Sequence, residues 1–186
     1  MRPRLQLIVM LCWLTACASA PKISYYTLAM DPSGTVDASV NLAVEQVRTT
    51  DALSRNRIMI QASPTKIEYY ATDQWAGGLA ELVRQKLTAE FGQPVEGRRT
   101  LAVTAVVLSC EQVDAVAGAE ARMKMSVTVR DPSKKRYHEP LLEKTYEATR
   151  PSARASAGAV VEALSLCAEQ IAGEIAADAG ALRTES

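Results

Sequence analysis

Side chains able to do catalytic or metal chemistry are few in this chain. Its 186 residues include one histidine and four cysteines. His138 closes a basic run beside the Asp131-Pro132 turn, whereas a hydrolase needs a histidine held against a nucleophile. Cys110, Cys167 and His138 lack the C-x-x-C or H-x-x-x-H spacing of a zinc site, and no G-x-x-x-x-G-K-[ST] phosphate loop occurs. The sequence therefore predicts a protein that is not an enzyme and holds no metal or soluble cofactor.

The N-terminus carries a targeting pattern that ends at a third cysteine. Arg2 and Arg4 precede an apolar run, residues 5–13, which is too short to span a bilayer and is typical of a cleaved signal. The following Leu14-Thr15-Ala16-Cys17 resembles the lipobox of bacterial lipoproteins. That resemblance implies that Cys17 becomes the first mature residue and carries diacylglyceryl and acyl groups such as palmitate. The alternative is an ordinary secretory signal cut at an A-x-A site near Ala18.

A lipid on Cys17 would hold the folded part at a membrane surface. Each buried methylene contributes about 0.8 kcal/mol, so several acyl chains anchor a protein stably. Ala18 and Ser19 follow, with no Asp in the second position, which resembles lipoproteins exported to the outer membrane and facing the periplasm. We therefore expect a signal peptide at residues 1–16, a lipidated N-terminus and short tether at 17–22, and a single periplasmic domain at 23–182.

The charge composition bears on the class of partner that the protein could bind. Basic and acidic side chains number 21 each, so the formal net charge is zero and nothing favours a nucleic acid partner.

Once Cys12 leaves with the signal, Cys110 and Cys167 remain as a pair in an oxidising compartment. A disulfide between them is chemically permitted, and two buried thiols are the alternative.

Hydrophobic periodicity predicts an α+β fold, a mostly antiparallel sheet with two main helices packed on one face. Alternating segments predict strands at residues 23–29, 40–49, 57–62, 66–70, 100–113, 121–130 and 141–149. One helix is expected from Thr72 or Asp73 to Phe91, and an alanine-rich one from Ser152 to Ala179.

Several exposed positions are candidates for partner contact. Tyr25 and Tyr26, like Tyr69 and Tyr70, are adjacent in strands, so one of each pair should point outward. Trp75 is a candidate contact with core packing as its alternative. The basic tip Lys134, Lys135 and Arg136 suits lipid headgroups or an acidic partner, or is simply a solvated hairpin end.

Four features together resemble the ABC-type transport auxiliary lipoproteins, the PqiC-like family. They are the Tyr25-Tyr26-Thr27-Leu28 strand, the junction at residues 53–58, the Tyr69-Tyr70 pair and Trp75 followed by Leu79. Ser54 stands where the family usually has an acidic residue, and Thr50-Asp51 stands where the family often has a Pro.

The resemblance implies an accessory lipoprotein of an MCE-type system that moves lipid between two membranes. Its partners would be an MCE-domain protein and the permease and ATPase of the same system, and the chain would dock that assembly at the outer membrane. A homo-oligomeric ring would match a partner with rotational symmetry. The alternatives are an independent periplasmic lipid-binding carrier and a structural lipoprotein partner of an outer-membrane protein.

Overall fold

The computed structural model describes residues 21–33, 39–115, 118–134 and 138–182, and in them seven strands and two α-helices. The strands are β1 Ser24–Tyr26, β2 Asn41–Thr49, β3 Arg57–Ser63, β4 Lys66–Trp75, β5 Thr100–Ala115, β6 Gly118–Arg130 and β7 Leu142–Ser152. The helices are α1 Leu79–Phe91 and α2 Ala157–Gly180. This is the predicted α+β class.

The strands form one mixed sheet around β5. β5, β6 and β7 form the antiparallel meander that the sequence predicts. On the other edge of β5, β2 and β3 lie end to end, joined by a 3-10 turn at Asp51–Leu53, and both run parallel to it. β4 pairs antiparallel with β3, and β1 pairs parallel with β4 at the sheet edge. Three pairs are antiparallel and three are parallel, and the two longest ladders, β5–β6 and β6–β7, are antiparallel.

Both helices pack on one face of the sheet. Strand β6 alternates strictly, with Met123, Met125 and Val127 fully buried towards the helices and Lys124 and Ser126 half-buried on the other face. Helix α2 buries a stripe of large side chains that includes Leu164, Ile171 and Ile175. Alanines flank that stripe, so the helix backbone can approach the sheet closely. No described helix is both long and apolar enough to cross a membrane.

Both helix starts differ from the predicted ones. β4 continues to Trp75, and α1 begins at Leu79 after Gly78, whereas Thr72 or Asp73 was the predicted cap. Asp73 stays in the strand because it pairs with Ser24 of β1, a contact between distant parts of the chain. Likewise β7 runs to Ser152 because its ladder with β6 continues there, so α2 begins at Ala157.

Candidate contact surfaces

The two described helices lie on the same face of the sheet, and we call the opposite face the open face. Strand pairing assigns residues to it, because directly paired residues point to the same side. Arg122, next to the helix-facing Met123, pairs with Glu111, and Glu111 pairs with Met59. Met59 in turn pairs with Tyr69. The open face therefore extends from charged residues on β5 and β6 to aromatic and aliphatic residues on β3 and β4.

The first tyrosine pair divides as predicted, one ring outward and one inward. Tyr25 is 64% exposed on the open face. Tyr26 turns to the helix side, where its ring lies 3.7 Å from the position a Cβ would take on Gly158. Its hydroxyl donates to Asp73 Oδ1 at 3.0 Å, and this hydrogen bond is the main reason why the pKa of Tyr26 is raised.

The second pair lies on opposite faces, but both rings are half-buried. Tyr69 donates to the Ala52 carbonyl at 2.9 Å, and the Arg55 guanidinium lies 5.3 Å from its ring centre. Tyr70 donates to Gln112 Oε1, and burial followed by the nearby carboxylates of Asp114 and Asp73 raises its pKa to about 12. Their polar atoms are used within the fold, so neither is as accessible as Tyr25.

Trp75 is not on a contact surface. It is the last residue of β4, only 2% exposed, and its backbone N–H donates to the Asn56 carbonyl at 2.8 Å. The indole fills the core beside Leu79, which favours the packing alternative over partner contact.

Three exposed apolar side chains belong to the β1–β4 edge or directly precede it. Tyr25 and Ile67, which is 52% exposed, lie on the open face by their strand pairing, and Ile23, 45% exposed, immediately precedes β1. We call these three residues the anchor-side patch, because Ile23 directly follows the tether expected at residues 17–22. Exposed tyrosine and aliphatic side chains are typical of surfaces that meet a membrane interface.

A buried ionic cluster fixes the segment after β1 to the helices. Lys86 of α1 is fully buried, and its Nζ lies 2.7 Å from Glu90, 2.9 Å from Glu169 of α2 and 3.0 Å from the Asp31 carbonyl. Ser33 donates to Glu90 through both its N–H and its hydroxyl. Burial opposes the charge on Glu90, but the bonds from Lys86 and Ser33 outweigh it and lower the pKa of that carboxyl.

The sequence analysis missed this cluster, although a signal was present. Lys86 and Glu90 fall on the same helical face as Leu79, Leu82 and Val83, at i+3 and i+4 spacing. Charged residues within an apolar stripe indicate a buried pair.

The two cysteines of the domain lie in the core between β5 and α2. Both Cys110 and Cys167 are fully buried and unbonded to each other in the structure. Burial raises the pKa of both thiols, that of Cys167 to about 11, and Cys167 Sγ lies 3.6 Å from the Ala121 carbonyl. A disulfide between them stays a prediction.

The remaining sequence candidates fall at or beyond the edges of what the structure covers. Cys17, Lys135 and Arg136 lie outside the described residues. Lys134 is exposed, next to a turn that Asp131 holds through a 3.0 Å ion pair with Arg99. Among the described residues, no three His, Cys, Asp or Glu side chains are grouped to hold a metal ion.

Comparison with known proteins agrees with this architecture. The family model described as the ABC-type transport auxiliary lipoprotein component matches residues 26–176. Protein XCC0632 from Xanthomonas campestris, a DUF330 protein, has a similar fold at TM-score 0.66 and 17% identity, over 83% of this chain and 92% of its own. An uncharacterized protein of known structure gives TM-score 0.66 at 16% identity, over 86% and 99%. No curated protein sequence matches the chain.

Proposed function

Because the chain belongs to the ABC-type transport auxiliary lipoprotein family, we propose that it is the accessory lipoprotein of an MCE-type intermembrane lipid transport system. It docks that assembly at the outer membrane from the periplasmic side. Membership of this family associates the chain with an ABC-type transport system. The family consists of transport components rather than enzymes. The MCE-domain partner, the outer membrane and the lipid on Cys17 are the further steps of the proposal.

Two features, one at each end of the tether expected at residues 17–22, support membrane anchoring. The lipobox-like pattern supplies acyl chains at Cys17, and the anchor-side patch offers exposed apolar side chains just beyond it. The acyl chains supply the affinity, and the patch sets which end of the domain faces the lipid.

A docking role fits the core better than carriage of lipid inside the domain. The side chains between sheet and helices are closely packed, with Leu101, Met125 and Leu164 fully buried. Protein atoms therefore fill the layer between the sheet and the helices. An independent lipid carrier and a structural partner of an outer-membrane protein are the competing functions.

A homo-oligomeric ring is the assembly that we propose for docking. Within the described residues β1, β2 and β7 each pair along one side only, and β7 is eleven residues long. Unpaired edges are natural surfaces for association between copies, and a ring matches a partner with rotational symmetry.

Affinity purification from mildly solubilised envelopes tests this function. The full-length protein and the Cys17→Ala variant are purified in parallel, and copurifying proteins are identified by mass spectrometry. Recovery of an MCE-domain protein with its permease or ATPase is the expected result, reduced in the variant. Recovery of a barrel protein alone, or of lipid without any transport subunit, would replace the proposal with one of the two competing functions.

A further inference from the structure

The open face holds a cleft that no part of the proposed function uses. It has a volume of about 360 Å³ and is lined by Glu45, Gln46, Arg48, Thr104, Thr128 and Arg130. Strand pairing sets three of these residues side by side, because Gln46 pairs with Thr104 and Thr104 pairs with Thr128. An amide and two hydroxyls therefore form a polar row across β2, β5 and β6 at the base of the cleft.

Two arginines flank that row from opposite sides. Arg48 lies two residues beyond Gln46 on β2, opposite Val106 of β5. Arg130 lies two residues beyond Thr128 on β6 and pairs with Ala102 of β5. Ala102 and Val106 lie on opposite sides of Thr104 along β5, so the two arginines lie on opposite sides of the row. Both arginines line the same cleft. Planar guanidinium groups with hydroxyls between them match the oxygens of a phosphate.

Arg48 and Arg130 differ in ion pairing from Arg122 and Lys124, the other two cations on the open face of β6. Arg122 pairs with Glu111, and Lys124 with Glu147 at 2.9 Å. Neither Arg48 nor Arg130 forms an ion pair within the described part of the chain. Arg130 Nη1 donates to the His138 carbonyl at 2.7 Å, which positions the group without neutralising it.

The cleft has a modest excess of positive charge. Its two guanidinium groups face one carboxylate, that of Glu45. Glu45 is there because the β2–β5 register shifts between Val44 and Gln46, a bulge of the kind often found beside binding sites. A net charge near one suits a small anion rather than a polyanion such as a nucleic acid.

We propose that this cleft binds the phosphate group of a phosphate ester. The group is shared by phospholipid headgroups and by soluble phosphates, and the site does not depend on which of them supplies it. The inference goes beyond the proposed docking function, because a domain could dock a transport assembly without binding phosphate.

Calorimetric titration of the full-length protein in detergent tests the site. The probes are inorganic phosphate and glycerophosphoglycerol, the headgroup portion of a phospholipid without its acyl chains. Arg48→Gln and Arg130→Gln each remove one charge-assisted donor, so each should raise the Kd about tenfold. Arg150→Gln is the matched control, since Arg150 lines a surface cleft beside α2 instead. Thermal unfolding of every variant verifies that the fold is retained.

The outcomes separate the possible sources of phosphate. Tighter binding of glycerophosphoglycerol than of phosphate, lost in both cleft variants, supports a lipid headgroup. Equal binding of the two probes, lost in the same variants, supports a soluble phosphate. No binding of either probe, or the same loss in Arg150→Gln, would overturn the proposal. Copurification of transport subunits is unaffected by that result, so failure of this site and failure of the docking function are distinguishable.

Discussion

Lys86 is the residue whose role is least expected from its type. Its ammonium group is fully buried and is balanced by Glu90 and Glu169, which joins α1 to α2 and to the Asp31 backbone. The sequence predicted that Lys86 lies in a helix. Its burial, however, depends on the carboxylate of Glu169, which is 83 residues away in sequence. No local pattern reveals such a partner.

Replacing Lys86 should therefore destabilise the domain strongly. Lys86→Met leaves two carboxylates without their cation, and breaking a buried pair in this way costs about 3 kcal/mol. Urea unfolding followed by circular dichroism measures the change. Lys66→Met is the control, because the Lys66–Glu68 pair is exposed and its loss should change stability little. Equal stability of Lys86→Met and wild type would show that the cluster contributes nothing.

The same cluster predicts a pH dependence of stability. The pKa of Glu90 is lowered from its ordinary value of 4.5, so the unfolded chain takes up a proton before the folded one. The stabilisation is complete above the ordinary value and is lost as pH falls through the folded pKa. The difference in melting temperature between wild type and Glu90→Gln should accordingly stay constant between about pH 7 and about pH 5 and narrow as the pH falls below 4.5. A difference that does not narrow below pH 4.5 contradicts the assignment.

At the scale of elements, local periodicity predicted every described strand but not where the two helices begin. Strand β6 could be predicted from the sequence because its buried and more exposed residues alternate without exception. Trp75 and Asp73 also fit a helical period, yet pairing with β1 holds them in β4. The parallel pairing of β2 and β3 with β5 could not be predicted from local periodicity either, because it joins segments far apart in the chain.

The last turn of α2 is attached to β7 through one buried hydroxyl. Tyr146, 1% exposed, donates to Asp178 Oδ2 at 2.7 Å, and Lys144 lies 2.6 Å from the same oxygen. Tyr146→Phe should lower the free energy of unfolding by about 1 kcal/mol, since the carboxylate loses a buried donor. Tyr25→Phe, which alters an exposed ring, should leave stability unchanged in the same urea titration. Identical midpoints for both variants would refute the attachment.

At the scale of the whole molecule, the open face is divided between two kinds of surface. The β1–β4 edge presents Tyr25 and Ile67, while β2, β5 and β6 present arginines and hydroxyls. The sequence predicted that one of Tyr25 and Tyr26 points outward, but it did not show that Ile67 shares a face with Tyr25. That grouping follows from the β3–β4 register, which no spacing in the sequence specifies.

The anchor-side patch should contact lipid even without the acyl chains. Flotation with phosphatidylethanolamine and phosphatidylglycerol vesicles measures binding of a Cys17→Ala protein. Adding Tyr25→Ser and Ile67→Ser should weaken binding about tenfold, because two apolar side chains no longer leave water. Leu166→Ser, at an equally exposed position on α2, is the control and should have no effect. A greater loss with Leu166→Ser would assign the membrane contact to the helix side.

The central claim, that this lipoprotein docks a transport assembly on a membrane, is tested most directly by reconstitution. The purified lipoprotein is inserted into vesicles, the MCE-domain protein of the same organism is added, and the vesicles are floated on a density gradient. The MCE-domain protein should float with vesicles that carry the wild-type lipoprotein and stay at the bottom with Cys17→Ala or with bare vesicles. If it floats equally well with bare vesicles, or never floats, the docking function is contradicted.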